Sequence, residues 1–377
     1  MSIGPSLPTI LNTPSPNWIA RLKELFAKLF AHAPGKHVIS PTTDLLCVGL
    51  GSIFILAPLV LFGDQTILSP GASIIALLTL FVNSPHFMAS YRILYRTRKS
   101  ILNHPWASMI VPAGLFAYLA YAIMVAEKDI SHLSFANLVS ALYLAWHYTG
   151  QVWGMMATYA HLAGKPFSKM ERILIRTGLR LQLAWHFSWV LHYDGGQSPV
   201  SWPLINNIYF AMSCLTVVAF VLALIAFASY RRRTGQLPPL NACVAWLALC
   251  FWYGAMARHP ETLFWVQIAH AVQYLSFPIR LEMNQYEREH PQNHSGAMLR
   301  SMVYFAALIA VGKAVEWSSK YIGVDLVGDF FGVVSGSKFP IAVLAFVNIH
   351  HFFIDGCIWK ISNKEVSKEL FAHLKRQ

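Results

Sequence analysis

The scarcity of charge in this chain narrows its class first. Charged residues fill only 12% of 377 positions, and acidic ones are the rarest, 17 against 29 Lys and Arg. Soluble domains carry roughly 25% charged residues, so the chain reads as an integral membrane protein. Its five cysteines (Cys47, Cys214, Cys243, Cys250, Cys357) stand singly in apolar segments without CxxC spacing, which excludes a disulfide framework and a zinc knuckle. The absence of GxGxxG after a strand removes a built-in flavin or nicotinamide domain, and HExxH is also missing. Residues Met1 to Pro16 are polar and proline-rich, so no signal peptide is expected. The longest polar loop, about Glu282 to Gly296, is too short to bury a core of its own, and no internal repeat stands out.

What the chain has is apolar length, with 55% hydrophobic and 14% aromatic residues. Runs of about 20 apolar residues predict about ten transmembrane helices, near 43–62, 70–91, 106–126, 134–160, 172–193, 203–229, 239–257, 262–281, 298–319 and 339–359. The expected fold is therefore all-α, a polytopic transmembrane helical bundle. Basic residues cluster before the first span (Arg21, Lys23, Lys28, Lys36) and after the even ones, as in Arg92 to Lys99, Lys165 to Arg172, Arg231 to Arg233 and Lys360 to Arg376. That alternation puts both termini in the cytoplasm, the membrane being the plasma membrane, or the inner membrane if the cell is bacterial, and accounts for the net charge of +12 without nucleic acid. Three regions follow: an N-terminal cytoplasmic segment over 1–42, one transmembrane domain over 43–360 and a basic cytoplasmic tail over 361–377. In the first, Trp18, Leu22, Leu25, Phe26 and Leu29 share one face of an amphipathic helix expected on the membrane surface or the bundle's base. Pro58 and Pro112 fall inside spans and are expected to bend them.

Ionisable groups inside a span are costly and mark functional sites. Six of the sixteen histidines fall there: His86, His147, His186, His270, His350 and His351. All except His186 are expected from mid-membrane towards the cytoplasmic side, and all six are candidate metal ligands. Polar companions lie within a helical turn: Asn83 of His86, Gln151 of His147, Gln182 of His186, Gln267 and Gln273 of His270, Asn348 and Asp355 of His351. Asp355 and Gln151 are the candidate catalytic groups, Asp355 either as a ligand or as the orienter of a histidine. Neutral imidazoles beside a carboxylate suit iron, copper, manganese or zinc, and the lack of thiolates excludes an iron–sulfur cluster. His161 and His192, near span ends, read as structural, and Lys313 with Glu316 as an intramembrane ion pair.

The adjacent pair His350-His351 resembles the double histidine that ends boxes of the membrane-embedded histidine-rich oxygenases, the fatty acid desaturase and alkane hydroxylase type. The remaining boxes do not carry over: Val347 stands three residues before the pair, and His147 is followed at four residues by Gln151. The resemblance implies two irons held by histidines and dioxygen used to oxidise a lipophilic substrate.

The expected function is thus a metal-dependent membrane oxidoreductase, a monooxygenase or desaturase, that hydroxylates, desaturates or oxidatively cleaves a small lipophilic molecule. Its expected partners are that substrate, dioxygen, the lipid bilayer and a cytosolic electron donor, unless the substrate itself supplies electrons. Two alternatives use the same histidines: a metal-ion or proton-coupled transporter and a zinc-dependent membrane hydrolase.

Overall fold

The computed structural model describes residues 36–63, 71–193, 202–291, 293–318, 338–359 and 364–375, together with 21, 24, 25 and 28–31. In chain order its helices are α1 (Pro41–Phe62), α2 (Ser73–Tyr95), α3 (Arg98–Asn103), α4 (Trp106–Val125), α5 (Ser131–Leu162), α6 (Lys169–Tyr193), α7 (Trp202–Thr234), α8 (Leu240–Arg258), α9 (Leu263–Glu289), α10 (His294–Trp317), α11 (Lys338–Ile358) and α12 (Lys364–Leu370). Among the described residues there is no sheet, only one parallel bridge between Phe30 and Leu237.

Seven of these helices, α1, α2, α4, α7, α8, α10 and α11, are long and apolar enough to cross a membrane. Their outward side chains are large and apolar, such as Phe62, Phe116, Phe210 and Met302, as lipid contact requires. The other three long helices, α5, α6 and α9, run 32, 25 and 27 residues but are more polar. The difference has a cause in packing: their polar residues His147, Gln182, His186, His270 and Gln273 are buried against neighbouring helices. Helix α9 also continues about two turns beyond the expected end at 281, because Glu282 is held inside by Arg92 at 3.7 Å and Arg300 at 3.4 Å.

Three widened turns, each closed by a bond spanning five residues, interrupt the helices at Leu46–Leu50, Thr79–Asn83 and Trp106–Ile110. Such turns free backbone carbonyls and recur at functional sites. The second and third immediately precede Ser84-Pro85 and Val111-Pro112, so the chain absorbs a proline by widening the turn before it. At the third, Val111 N–H bonds to the Trp106 carbonyl. The next partner in that pattern, for Ala107, would be Pro112, which has no N–H; His350 Nε2 takes the Ala107 carbonyl instead, at 2.7 Å. In the first turn, Gln273 Nε2 donates to the Val48 carbonyl and Ser52 Oγ to that of Gly49. Gly49 itself has φ +152°, and a Cβ there would lie 2.5 Å from Ala248 Cβ, so only glycine lets α1 meet α8 this closely.

Of the amphipathic N-terminal helix, Trp18, Leu22 and Phe26 lie outside the described residues; Leu25 and Leu29 are exposed, and Glu24 pairs with Lys28. At the other end the tail folds back onto the bundle. Asn284 Nδ2 donates to the carbonyls of Glu369 and Leu370, both at 2.8 Å, and His373 Nε2 donates to the His37 carbonyl at 2.7 Å.

Candidate metal centre

Helices α2, α5, α9 and α11 surround one buried polar spot, and each brings a histidine followed four residues later by a second polar group: His86 and Ser90, His147 and Gln151, His270 and Tyr274, His351 and Asp355. Residues four apart share a helix face, so two layers result, one of imidazoles and one of hydrogen-bonding groups one turn further on. The four imidazole rings touch, with centroids 4.4 Å apart for His86 and His351, 4.6 Å for His147 and His270, and 4.9 Å for His147 and His351.

Within this cluster, His86, His147, His351 and Asp355 each present a ligand atom, all lying within 4.8 Å of one another, and all four residues are buried. His351 Nε2 is 3.1 Å from His86 Nε2 and 3.4 Å from Asp355 Oδ2, which is 3.7 Å from His147 Nε2. Two nitrogens bound to one tetrahedral zinc-like ion at about 2.0–2.1 Å stand about 3.3 Å apart, so these spacings fit a single ion. Unmet hydrogen-bonding capacity points the same way at one of these atoms: His147 Nε2 is buried without a hydrogen-bond partner among the described residues. A buried polar atom left unpaired is costly, and a cation bound there would repay that cost.

The second layer fixes the carboxylate. Trp359 Nε1 donates to Tyr274 Oη at 2.9 Å, Tyr274 is hydrogen-bonded to Ser90 Oγ, and Ser90 Oγ donates to Asp355 Oδ1 at 2.6 Å. With Oδ1 held, Oδ2 is the oxygen turned to the histidines. Gln151 does not join the four ligand atoms. Its Nε2 donates to the His270 carbonyl at 3.0 Å and to Gln273 Oε1 at 3.1 Å, locking α5 to α9, while its Oε1 is unpartnered. The widened turn ahead of Pro85 sets the rotation of His86, and Gly312 of α10 sits against Ser84, where a Cβ would come within 2.6 Å of the serine Cβ.

Two of the six expected ligands stand apart from this group. His350 points about 100° around α11 from His351 and spends both nitrogens on protein, Nδ1 with Tyr91 Oη at 3.0 Å and Nε2 on the freed Ala107 carbonyl. His186 is separated from the cluster by Tyr148, whose ring centroid lies 4.5 Å from His270 and 6.1 Å from His186. His270 is inside the cluster but contributes no atom to the group of four. His192 stacks on Tyr209 and bonds Asn206 Oδ1 at 2.8 Å, a structural role, and the Lys313–Glu316 pair forms at 3.3 Å. Ser90 and Tyr274 were passed over in the sequence because hydroxyls are common in helices; their signal was the four-residue offset repeated behind each of four histidines.

A cavity of about 530 Å³ opens from the centre between α5 and α11. His147, Gln151, Tyr274 and Asp355 form its inner end, and Val366, Ser367, Leu370 and Phe371 of the folded-back tail line it further out. Its size falls in the range of small-molecule sites, about 300–1,000 Å³, and most of its walls are aromatic or aliphatic. No protein-family model matches the chain, and no curated protein or solved structure does either.

Proposed function

We propose that this chain is a metal-dependent membrane oxidoreductase that uses dioxygen to oxidise a lipophilic molecule. The observation that carries the reading is the junction of two features: four buried ligand atoms within 4.8 Å, and an apolar cavity that ends on two of the same residues. His86, His147 and His351 hold the ion, with Asp355 Oδ2 as the oxygen ligand. Three imidazoles and one carboxylate supply one ligand set, which favours one ion over two. Bound there, a redox metal such as iron supplies dioxygen activation. The chain's own groups do the rest. Ser90 and Tyr274 hold the carboxylate in place, Trp359 keeps the Tyr274 hydroxyl directed at Ser90, and the apolar walls keep water away from a reactive centre.

In this reading α5, α6 and α9 also cross the bilayer, giving ten spans with both termini and the open end of the cavity on the cytoplasmic side. The clusters of Arg and Lys between spans support that orientation and offer a docking face for an acidic electron donor. The test is elemental analysis of purified protein against the His86→Ala and His351→Ala variants, followed by oxygen uptake with lipophilic substrates. A redox metal near one per chain, lost in both variants, is the expected result. Zinc alone, or no retained metal, overturns the oxidoreductase reading.

A further inference from the structure

Ionisable groups inside a span are costly, and α6 carries a row of them that the histidine centre does not use. Lys169, Arg172, Arg176 and Arg180 are all exposed on this helix, spaced three or four residues apart and so stacked along one face. Burial of Gln182 and His186 accounts for part of the polarity of α6 but for none of its arginines. Lys165 and Lys169 already mark its cytoplasmic end, and Arg176 and Arg180 lie about one and two turns inside the expected span 172–193.

The opposite face of α6 is the packed one. Gly178, about 200° around the helix from Arg176, rests on α7, where a Cβ would come within 2.8 Å of the Ala219 carbonyl oxygen. Glu171, the one carboxylate of α6, is buried and bonded to Arg233 of α7 at 2.8 Å. From Ser131 to Arg258 the sequence holds just one other carboxylate, Asp194. Arg172, Arg176 and Arg180 have no carboxylate partner among the described residues, and Arg176 lies over the Trp153 ring with its guanidinium 6.0 Å from the centroid. The face therefore calls for negative charge from outside the chain, either an acidic protein or a lipid headgroup. Geometry favours the lipid. The row runs roughly 12 Å along the helix axis from Arg172 to Arg180 and is bordered by the apolar side chains of Met170 and Ile173, 61% and 50% exposed. A protein docked at the membrane surface would meet only its first turn, whereas a phospholipid lies along all of it. Neighbouring arginines stand about 6 Å apart along the axis, close enough for one phosphodiester to meet two of them.

We propose that the face of α6 carrying Arg172, Arg176 and Arg180 binds an anionic phospholipid of the cytoplasmic leaflet, with its phosphodiester between neighbouring guanidinium groups and its acyl chains on the outer surface of the bundle. The deeper arginines reach the headgroup by extending their side chains towards the cytoplasm. This site goes beyond the oxidoreductase reading and needs no metal; it rests only on α6 crossing the bilayer. The lipid is a lasting partner that neutralises the helix and not a substrate, since Arg172 and Arg180 take no part in lining the cavity.

The experiment is equilibrium binding to the full chain in an uncharged detergent, with phosphatidylglycerol, phosphatidylcholine and a soluble poly-glutamate peptide as probes. A basic residue beside an anionic lipid is worth about fivefold in affinity, so two per headgroup predict that phosphatidylglycerol binds about 25-fold more tightly than phosphatidylcholine. Arg176→Gln, which removes the middle arginine, should cut that preference to about fivefold, and the triple variant Arg172→Gln/Arg176→Gln/Arg180→Gln should abolish it. Unchanged binding of phosphatidylcholine shows that a variant is folded, and Arg176→Gln carries the test if the triple variant is not. Arg231→Gln/Arg232→Gln removes two exposed arginines of α7 that point about 100° apart and do not share a headgroup, so the preference should stay as in wild type. Equal binding of the two lipids, a preference untouched in Arg176→Gln, or an equal loss in the α7 variant overturns the proposal. Displacement of phosphatidylglycerol by poly-glutamate also overturns it and assigns the face to an acidic protein. Metal content of the same samples reports on the oxidoreductase reading separately, since the lipid site is expected with or without the ion.

Discussion

His350 and His351 are adjacent, equally buried and chemically identical, yet the structure predicts opposite consequences of losing them. In His350→Ala two hydrogen bonds vanish, to Tyr91 Oη at 3.0 Å and to the Ala107 carbonyl at 2.7 Å. The carbonyl is buried and its helical partner position is Pro112, so nothing else is placed to satisfy it. An unsatisfied buried acceptor costs about 1–3 kcal/mol, and the lost ring packing against Tyr91 and Phe346 adds to it, for a total of roughly 2–5 kcal/mol. The centre itself is untouched. In His351→Ala the metal-free protein loses the Nε2 bond to His86 at 3.1 Å and the packing of a fully buried ring against His86, Phe87 and His147, and one of four ligand atoms disappears. The assay is thermal unfolding of the metal-stripped proteins together with metal content of the folded fractions. Both variants should unfold at a lower temperature, since each removes a buried ring; what separates them is the metal, which His350→Ala should keep and His351→Ala should lose. A folded His350→Ala devoid of metal, or a His351→Ala that binds as wild type does, would refute the assignment of these side chains.

Removing the support of Asp355 should act on affinity without removing a ligand: Ser90→Ala and Tyr274→Phe are each expected to weaken metal binding by about 10–100-fold, read by competition with a chelator. Gly49→Ala combines a left-handed backbone position with a 2.5 Å approach to Ala248, so it should lower stability by at least about 2 kcal/mol, seen as a drop in the unfolding temperature; a variant as stable as wild type would disprove the close packing of α1 on α8. The docked tail should be sensitive to acid. Burial pushes the His373 imidazole below its ordinary value, with Arg280 and His37 acting in the same direction and Glu287 and the His37 carbonyl opposing. A depressed imidazole contributes docking stability that is fully present above about pH 6.5 and lost as pH falls through the lower docked value. Hydrogen exchange of residues 366–374 should accordingly speed up as pH falls below about 6.5 in wild type and become pH-independent in His373→Asn, after correction for the intrinsic exchange rate.

The helices were legible in the sequence because lipid contact demands runs of apolar residues, and over the described residues all ten expected segments are largely helical. Their unequal polarity appears with the packing: α5 and α9 bury His147, His270 and Gln273 towards the site, whereas α6 also carries exposed Arg172, Arg176 and Arg180. Depth brought His86, His147, His270 and His351 to one level, but depth says nothing about rotation. Whether His350 or His351 turns inward depends on the widened turn at Trp106–Ile110, whose orphaned carbonyl captures His350, and no periodicity announces such a turn. Tyr148 between His270 and His186 is likewise a packing outcome. The tail looked like a basic end because Lys364, Lys368, Lys375 and Arg376 stand against only Glu365 and Glu369; that Leu370 and His373 are buried follows from Asn284, nearly ninety positions away.

On the ten-span reading proposed above, the unequal polarity of the helices bears on how the protein is made. A segment such as α9, with buried amides, histidines and Glu282 along its length, gains little by leaving the translocation channel for lipid on its own. It has to be retained until α10, apolar and already packed to shield it, emerges behind it, and α6 depends on α7 in the same way. The histidine centre is therefore assembled late, after the greasier helices have built a wall for it, and a ribosome that stalls before α10 would release a chain whose most functional helix has nowhere stable to go.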